Sequence, residues 1–542
     1  MRTAVIVTIQ NVLNSPDLLA SLTAPPSATG ATPLFINMAL PPLGHAAGAT
    51  YGASLRAALA GHPAIDSVLT NLDQGLPAGS NLLFELRGPG AEGIRWEAIG
   101  MQPAGFLAIN PPVPVGRIAG AARAGGDARI FRWPVTIAAF VSAAGVDATE
   151  QLEALVDEIV LARAGLDVEL EVFLADPELL SAAKYAIEGV NRHPMPADAD
   201  ALLDALNDLQ PEIVHFFCHG VAAGQQQFLE LATISDHLTD ALAGSVQLPG
   251  WRLQAAPGAQ SSWLVVLNCC ESSAAANSGV NIGSMSFRMV KEGGIPACVG
   301  MSQPIDATDA ELLAKRFYKR LLADLAPLTE ATDPIDLDFA DAVLEARQAL
   351  YAKHANGVAH DPLARWSLPA LYTTGAPLRV QSPMDVPSEQ RLPLRTVQKF
   401  LATQPADTPP GVRADALNLI AAIPEGLQPD WLGRFDPTPP LSEAQEATLK
   451  TVATVLAGPA TEAFRQTAVA LLKDIPKALW PDAQGRLPLR FKDRTRLKVV
   501  SDYLCRLPAD APAILRDEAL ALLDDLPAAV RPDALGQLPE AV

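Results

Sequence analysis

From residue 81 onward, short apolar runs alternate with stretches of helical period. "WPVTIAAFVSA" (133–143), "DVELEVFLA" (167–175), "EIVHFFCHG" (212–220), "SWLVVLNCC" (262–270) and "IPACVGM" (295–301) are apolar or β-branched in the manner of buried strands. Between them, "DATEQLEALVDEIVLARAG" (147–165) and "DADALLDALNDL" (198–209) have helical spacing. The first has Asp147 or Thr149 as its cap and Gly165 as its stop; the second ends before Pro211. "IGSMSFRMVKEGG", "DAELLAKRFYKRLLADL" and "DFADAVLEARQALYAKH" predict three further helices. "NLLFELRG" and "IRWEAIG" predict a strand pair around Gly88-Pro89-Gly90, and "EIVHFFCHG" a strand broken by its glycine, with a hairpin in the polar stretch that follows. The alternation predicts an α/β domain with a mostly parallel central sheet over about 81–378, closing with "RWSLPALYTTGAPL". Residues 1–80 mix β-like runs ("AVIVTI", "PLFINMAL") with a helical stretch near Ser54–Ala60, a segment whose role cannot be read.

The last part of the chain has a different pattern. "VRADALNLIAAIPEGLQPDWLGRF" (412–435), "FRQTAVALLKDIPKALWPDAQGRL" (464–487) and "LRDEALALLDDLPAAVRPDALGQL" (515–538) superimpose with periods of 52 and 51 residues. Arg413, Arg465 and Arg516 align. So do Pro424, Pro476 and Pro527; Pro429, Pro481 and Pro532; and Gly433, Gly485 and Gly536. Each unit reads as two helices with prolines at the joints. A lone unit of this kind is expected not to bury its apolar face, so the three repeats over 390–542 should stack as a short α-solenoid. The alternative is a duplicated helical bundle.

Length and composition narrow the function classes. A chain of 542 residues exceeds one ordinary core and predicts about three to four domains. With 49% hydrophobic and 18% charged residues it can bury large cores. The formal net charge of −20 opposes polyanions, so neither nucleic acid nor an anionic membrane is expected as the main partner, although a local basic patch is compatible with it. Five cysteines without regular spacing argue against a disulfide framework and for a reducing compartment. "MRTAVIVTIQNVL" has too short an apolar run for a signal peptide and reads as a first strand. No stretch is long enough for a membrane helix. These features together predict a cytoplasmic protein.

Candidate chemistry lies at two strand ends. In an open parallel sheet, functional groups gather beyond the carboxyl ends of the strands. One strand here ends Cys218-His219-Gly220 and another Cys269-Cys270-Glu271. If the two are neighbours, an imidazole and a thiol meet over one sheet edge, an arrangement suited to nucleophilic acyl transfer. Gly220 lets the backbone approach a carbonyl closely and so is a candidate oxyanion donor. His219, at the strand end, is preferred as base over His215, which sits inside the apolar run. The bland reading of the cysteines is core packing. A zinc site from Cys218, His219, Cys269 and Cys270 is a further alternative, but it lacks the usual gap between ligands. No metal or cofactor is expected.

"IVHFFCHG", "WLVVLNCCESS", "GIPACVGMSQPIDATDAELLAKRFYKRLL", "DAVLEARQAL" and "RWSLPALYTTGAP" resemble successive blocks of the CHAT domain family, caspase-like cysteine peptidases related to separase and the caspases. The resemblance covers about 81–378, and residues 1–80 are either separate from that unit or part of it. It implies His219 as base, Cys270 as nucleophile, Gly220 in the oxyanion hole and Cys269 in the core, working as a dyad without a third residue. Strand alternation agrees, because Cys269 and Cys270 must point to opposite faces. The resemblance further implies that "SQPIDATDA" helps line the substrate pocket, with Asp306 or Asp309 placed to meet a basic side chain. The alternative is that one of these aspartates caps the following helix, and for Asp309 capping is favoured. The expected function is endopeptidase cleavage of a partner protein, with an activator or sensor protein held by the C-terminal repeats. The resemblance implies a regulated bacterial stress or antiphage effector. The alternative is a catalytically silent caspase-like scaffold.

Overall fold

In the computed structural model the described residues are 3–539, apart from 13–16, 25–31, 42–47, 88, 111, 121–127, 132, 224–225, 270–283, 330, 332, 356–363, 382–387, 435–442, 460, 473–474, 476–478, 483 and 509–510. The chain divides into two compact units, Met1–Ser382 and Pro383–Val542.

One large sheet organises the first unit. Its principal strands are β1 (Thr3–Asn11), β2 (Ser80–Arg87), β3 (Val115–Ala119), β4 (Val135–Val141), β5 (Val168–Leu174), β6 (Ile213–Ala223), β7 (Leu264–Cys269), β8 (Ala297–Met301) and β9 (Pro369–Thr373). Their spatial order is β1-β2-β3-β9-β8-β7-β6-β4-β5, with Leu18–Ala24 and Leu34–Ile36 added beyond β1 and Val190–Pro194 beyond β5. The strands β8, β7, β6, β4 and β5 are mutually parallel, as are β1, β2, β3 and β9. The two sets meet where β9 runs antiparallel to β8. The mostly parallel sheet expected from the buried apolar runs is therefore present, built as two parallel halves of opposite direction. Residues 1–80 are not a separate layer: β1 pairs with β2 along its length, from Thr3 opposite Ser80 to Gln10 opposite Arg87.

That pairing explains one departure from the sequence reading. "IRWEAIG" is not a strand returning against "NLLFELRG". Both edges of β2 are taken by β1 and β3, and Trp96–Ala98 forms a 3₁₀ turn instead. Trp96 stacks on Phe84 at 4.4 Å between ring centroids, which buries the turn. Likewise Gly220 does not end its strand. β6 continues to Ala223 and pairs antiparallel with Gln226–Leu231.

The helices α1 (Thr149–Ala162), α2 (Ala307–Leu325) and α3 (Ala340–Ala355) pack in sequence against one another. At the entry to α1, Asp147 accepts the Thr149 N–H at 2.8 Å, but the cap position itself is Ala148, not either of the residues expected there. A buried charge cluster ties β3 to β9, strands far apart in the chain and adjacent in the sheet. The Arg117 guanidinium on β3 donates to both carboxylate oxygens of Glu97, at 2.8 and 2.7 Å, and to the Tyr372 hydroxyl on β9 at 2.9 Å. Arg347 on α3 donates to the Val115 and Pro369 carbonyls, which belong to β3 and β9. Burial alone would raise the Glu97 carboxyl, but the facing Arg117 guanidinium outweighs it and holds the carboxyl below the ordinary range.

The second unit is helical: α4 (Ser388–Thr403), α5 (Pro410–Asn418), α6 (Glu443–Ala457), α7 (Glu462–Ala470), α8 (Phe491–Arg506) and α9 (Ala513–Ala521). The aligned residues of the sequence share one turn. Asp430, Asp482 and Asp533 each accept two backbone N–H bonds, from the residues two and four further on. Gly433, Gly485 and Gly536 inside these turns have φ of 75°, 76° and 83°. A Cβ there would lie 2.5, 2.2 and 2.5 Å from the carbonyls of Gln398, Ala453 and Ser501 on the first helix of each pair, so only glycine fits. Arg413 donates to four carbonyls, those of Leu401, Gln404, Pro405 and Trp431. Arg516 donates to Pro508 and Ala534. Pro476 lies outside the described residues.

Each helix pair closes an apolar cluster of its own, around Leu401 and Ile420, around Leu456 and Leu472, and around Leu504 and Leu523. Ile423, Ile475 and Leu526, each just before an aligned proline, belong to these clusters. Helix α5 also packs against α8 and α9, so the first pair meets the third, a contact that stacking in strict chain order does not predict.

Removing Glu97 strands a buried guanidinium. Glu97→Ala is expected to destabilise the first unit by about 3–5 kcal/mol, measured by urea unfolding. Glu425→Ala, on the surface of the second unit, should cost less than about 1 kcal/mol.

Candidate active site

The two reactive sequence blocks lie on adjacent strands. β6 and β7 pair in parallel from Ile213 opposite Leu264 to Cys218 opposite Cys269. His219 is therefore one residue beyond the last pair on its strand, and position 270 is one beyond it on the neighbour. Cys270 itself, with Glu271, lies outside the described residues.

The topology explains why this edge is the site. From β4 the chain moves outward through β5 to the sheet margin, then returns to place β6 on the other side of β4. That reversal opens a crevice between the carboxyl ends of β4 and β6, where open α/β sheets place their ligands. The His219 ring spans it. Nε2 lies 2.8 Å from the carbonyl oxygen of Ala144, just past the end of β4. A carbonyl only accepts, so Nε2 carries a proton and donates. In the neutral imidazole Nδ1 is then the unprotonated nitrogen and can accept a proton. His219 is half-buried, between full solvation and the core. Sequence reasoning missed the Ala144 carbonyl, because a backbone acceptor leaves no signature in residue identity.

Alternation along the strands separates the other candidates. His215, Phe217 and His219 share one face of β6, and their partners on β7 include Val266 and Asn268. Cys218 and Cys269 lie on the other face and are buried. Cys269 is thus core, as strand geometry required. Cys298 on β8 is also buried, which pushes its thiol up and keeps it protonated.

His215 sits inside the sheet. The Gln151 amide nitrogen on α1 lies 3.1 Å from its Nε2, and Tyr318 on α2 packs edge-on to the ring. An amide nitrogen only donates, so Nε2 accepts and the His215 proton is on Nδ1. Asn268 donates to the Ala310 carbonyl at 3.1 Å, linking β7 to the first turn of α2. Burial pushes the His215 pKa down to about 3. It stays neutral near pH 7 and faces α1 and α2 rather than the strand end.

Gly220 lies within β6 opposite Leu229 of the neighbouring hairpin strand. Neither Asp306 nor Asp309 makes the helix-capping bond expected of one of them. Asp306 occupies the cap position of α2, but its side chain makes no capping bond; it is exposed and 3.2 Å from Arg365. Asp309 does not cap. It is buried in the first turn, with Lys353 at 2.7 Å and His354 at 2.8 Å. Burial acts to raise this carboxyl, but bonds from Lys353 and His354 hold it below its ordinary value. Among the described residues no cluster of three or more His, Cys, Asp or Glu could hold a metal.

Beneath the edge, Glu92 secures the far end of the block that begins at Cys270. Its carboxylate accepts the Ser284 N–H at 2.9 Å and the Tyr372 hydroxyl at 3.1 Å. Ser284 in turn accepts the N–H of Phe287, starting the helix Met285–Lys291. A single Arg inside "VGRIA" was the sequence signal for this buried charge system.

Residues 149–375 match the model of the CHAT domain family. That segment is similar to the CHAT domain. The match begins at α1 and ends just past β9, so it takes in both reactive strands and leaves β1–β4 and α4–α9 outside. Solved structures that overlap it include the Saccharomyces cerevisiae separase–securin complex, at 12% identity and a TM-score of 0.30, over 61% of this chain and 17% of that one. Another is the complex of the Porphyromonas gingivalis RgpB pro- and mature domains, at 10% identity and a TM-score of 0.33, over 58% of this chain and 69% of that one. The chain thus spans about a sixth of the separase chain's length. No curated protein matches it.

The depressed His215 pKa has a consequence for the stability of the first unit. The unfolded chain binds a proton near pH 6.5, the folded one only near 3. Stability is complete above pH 6.5 and falls as pH drops through that window, by about 3 kcal/mol at pH 4. In His215→Phe the acid slope over pH 6.5–4 should flatten by that amount, read from urea midpoints at each pH.

Proposed function

We propose that this protein is a cysteine endopeptidase that cleaves a partner protein with His219 as base and Cys270 as nucleophile. The observation that carries the reading is the pairing of Cys218 with Cys269 on adjacent parallel strands. In this reading the next residue of each strand keeps that register, with Cys270 beside His219 on the same face. The Ala144 carbonyl fixes the imidazole so that Nδ1 can take the thiol proton. The thiolate attacks the scissile carbonyl, His219 returns the proton to the leaving amine, and water then releases the acyl group. The N–H groups at Gly220 and Cys270 are the oxyanion donors in this reading.

Asp306 is the candidate contact for a basic P1 side chain. It lies beyond the carboxyl end of β8, the strand next to β7, and its carboxylate is exposed. The buried, doubly paired Asp309 has no such capacity. The three aligned helix pairs of residues 390–542 are a repeat array that holds an activator or sensor protein, and the protein works in the cytoplasm. No helix among the described residues is long and apolar enough to cross a membrane. A regulated bacterial stress or antiphage role belongs to the same reading.

The test is intact-mass analysis after incubation with peptidyl acyloxymethyl ketones bearing basic, acidic or apolar P1 groups. One adduct is expected on the native chain and on Cys269→Ala, and none on Cys270→Ala or His219→Ala. The basic probe should react fastest, and Asp306→Asn should slow it at least about tenfold. Labelling that persists in Cys270→Ala would sink the assignment. Absence of labelling in every form would favour a silent scaffold.

A further inference from the structure

The chain's negative charge is unevenly spread. Residues 383–542 carry 18 basic and 21 acidic groups, so nearly all of the formal −20 belongs to the first unit. Within the second unit, residues 486–498 hold six basic side chains and a single acid, Asp493. Arg490, Arg494 and Lys498 recur every four residues along α8 and its start, and four-residue spacing places them on one face as a ridge. All three are exposed. Arg490 reaches Glu425 only at 3.8 Å, and for Arg494 and Lys498 the described residues supply no ion-pair partner. The cations between them behave differently. Arg496 is held by Asp493 and Asp525, at 2.9 and 2.8 Å, and Lys492 donates to the Glu425 carbonyl. One set of cations is spent on the fold and the other projects from it. Cations in the opening turns of a helix also run against its dipole, so folding does not account for them.

We propose that the Arg490–Arg494–Lys498 ridge is a docking surface for a short acidic segment of a partner protein. The ridge spans eight residues, about 12 Å of helix, which fits an acidic stretch of similar length. The charge of the whole chain selects against longer polyanions. Near physiological salt a contact confined to the ridge feels mainly the local cations, since charges beyond about 8 Å are screened. A nucleic-acid duplex extending past it would meet the field of a protein of net charge −20. The inference does not depend on peptidase activity.

The full chain would be titrated, by fluorescence anisotropy, against a labelled octaglutamate peptide and against a 20-base-pair DNA duplex at several salt concentrations. Octaglutamate should bind, weaken steeply with salt, and lose at least about tenfold in affinity in the triple variant Arg490→Gln/Arg494→Gln/Lys498→Gln. Each single substitution should give part of that loss. Lys450→Gln, at a lysine paired within its own helix to Glu446, should leave binding unchanged. Circular dichroism and thermal melting of the variants separate lost binding from lost folding. Three results would overturn the proposal: no octaglutamate binding, equal binding by the triple variant, or tighter binding of the duplex than of the peptide.

Discussion

The buried contact between Arg117 and Glu97 is the constraint on which the first unit depends. A guanidinium out of water must satisfy its donors or lose several kcal/mol. Arg117 does so with Glu97, with the Glu92 and Ile94 carbonyls and with Tyr372. These partners come from β9 and from the segment between β2 and β3. The charge therefore cannot be satisfied unless β9 lies beside β3. Glu92 extends the same system to Ser284, at the far end of the block that carries the candidate nucleophile. The N-terminal strands thus contribute to the ground on which the site stands, although they lie outside the CHAT match.

The site itself follows from register. Cys218 opposite Cys269 sends both cysteines into the core and leaves His219, the next residue of β6, at the edge. A slip of one residue would exchange the faces and bury the imidazole. The reversal of strand order beside β4 adds a backbone carbonyl within reach of His219. One topological feature thereby supplies both the crevice and the group that orients the ring. His215, four residues earlier on the same strand, shows what the same side chain becomes without an edge: a neutral, buried, hydrogen-bonded core group.

The second unit uses charge differently. Arg413 and Arg516 act as carbonyl clasps that close helix–turn–helix pairs, and glycine at φ near 75–83° lets the turn touch the preceding helix. These are local solutions repeated three times, which is why the sequence shows the same residues at the same spacing. The cations that project from α8 belong to no such solution.

What the sequence determined by itself was local. Apolar runs against helical period fixed the strands and helices of the α/β unit, because burial on two faces and burial on one face leave different periodicities. Spacing of Arg, Pro and Gly revealed the recurring helix pairs, and the cysteine and histidine blocks located the candidate chemistry. What the tertiary structure decided was everything that depends on a partner distant in the chain. β2 is flanked by β1 and β3, so "IRWEAIG" cannot return as a strand. Asp309 meets Lys353 and His354, so it pairs rather than caps. Ala144 supplies a carbonyl and Arg117 joins β3 to β9. Backbone acceptors and long-range ion pairs are chosen by topology, and residue identity at one position carries no record of which strand will lie beside it.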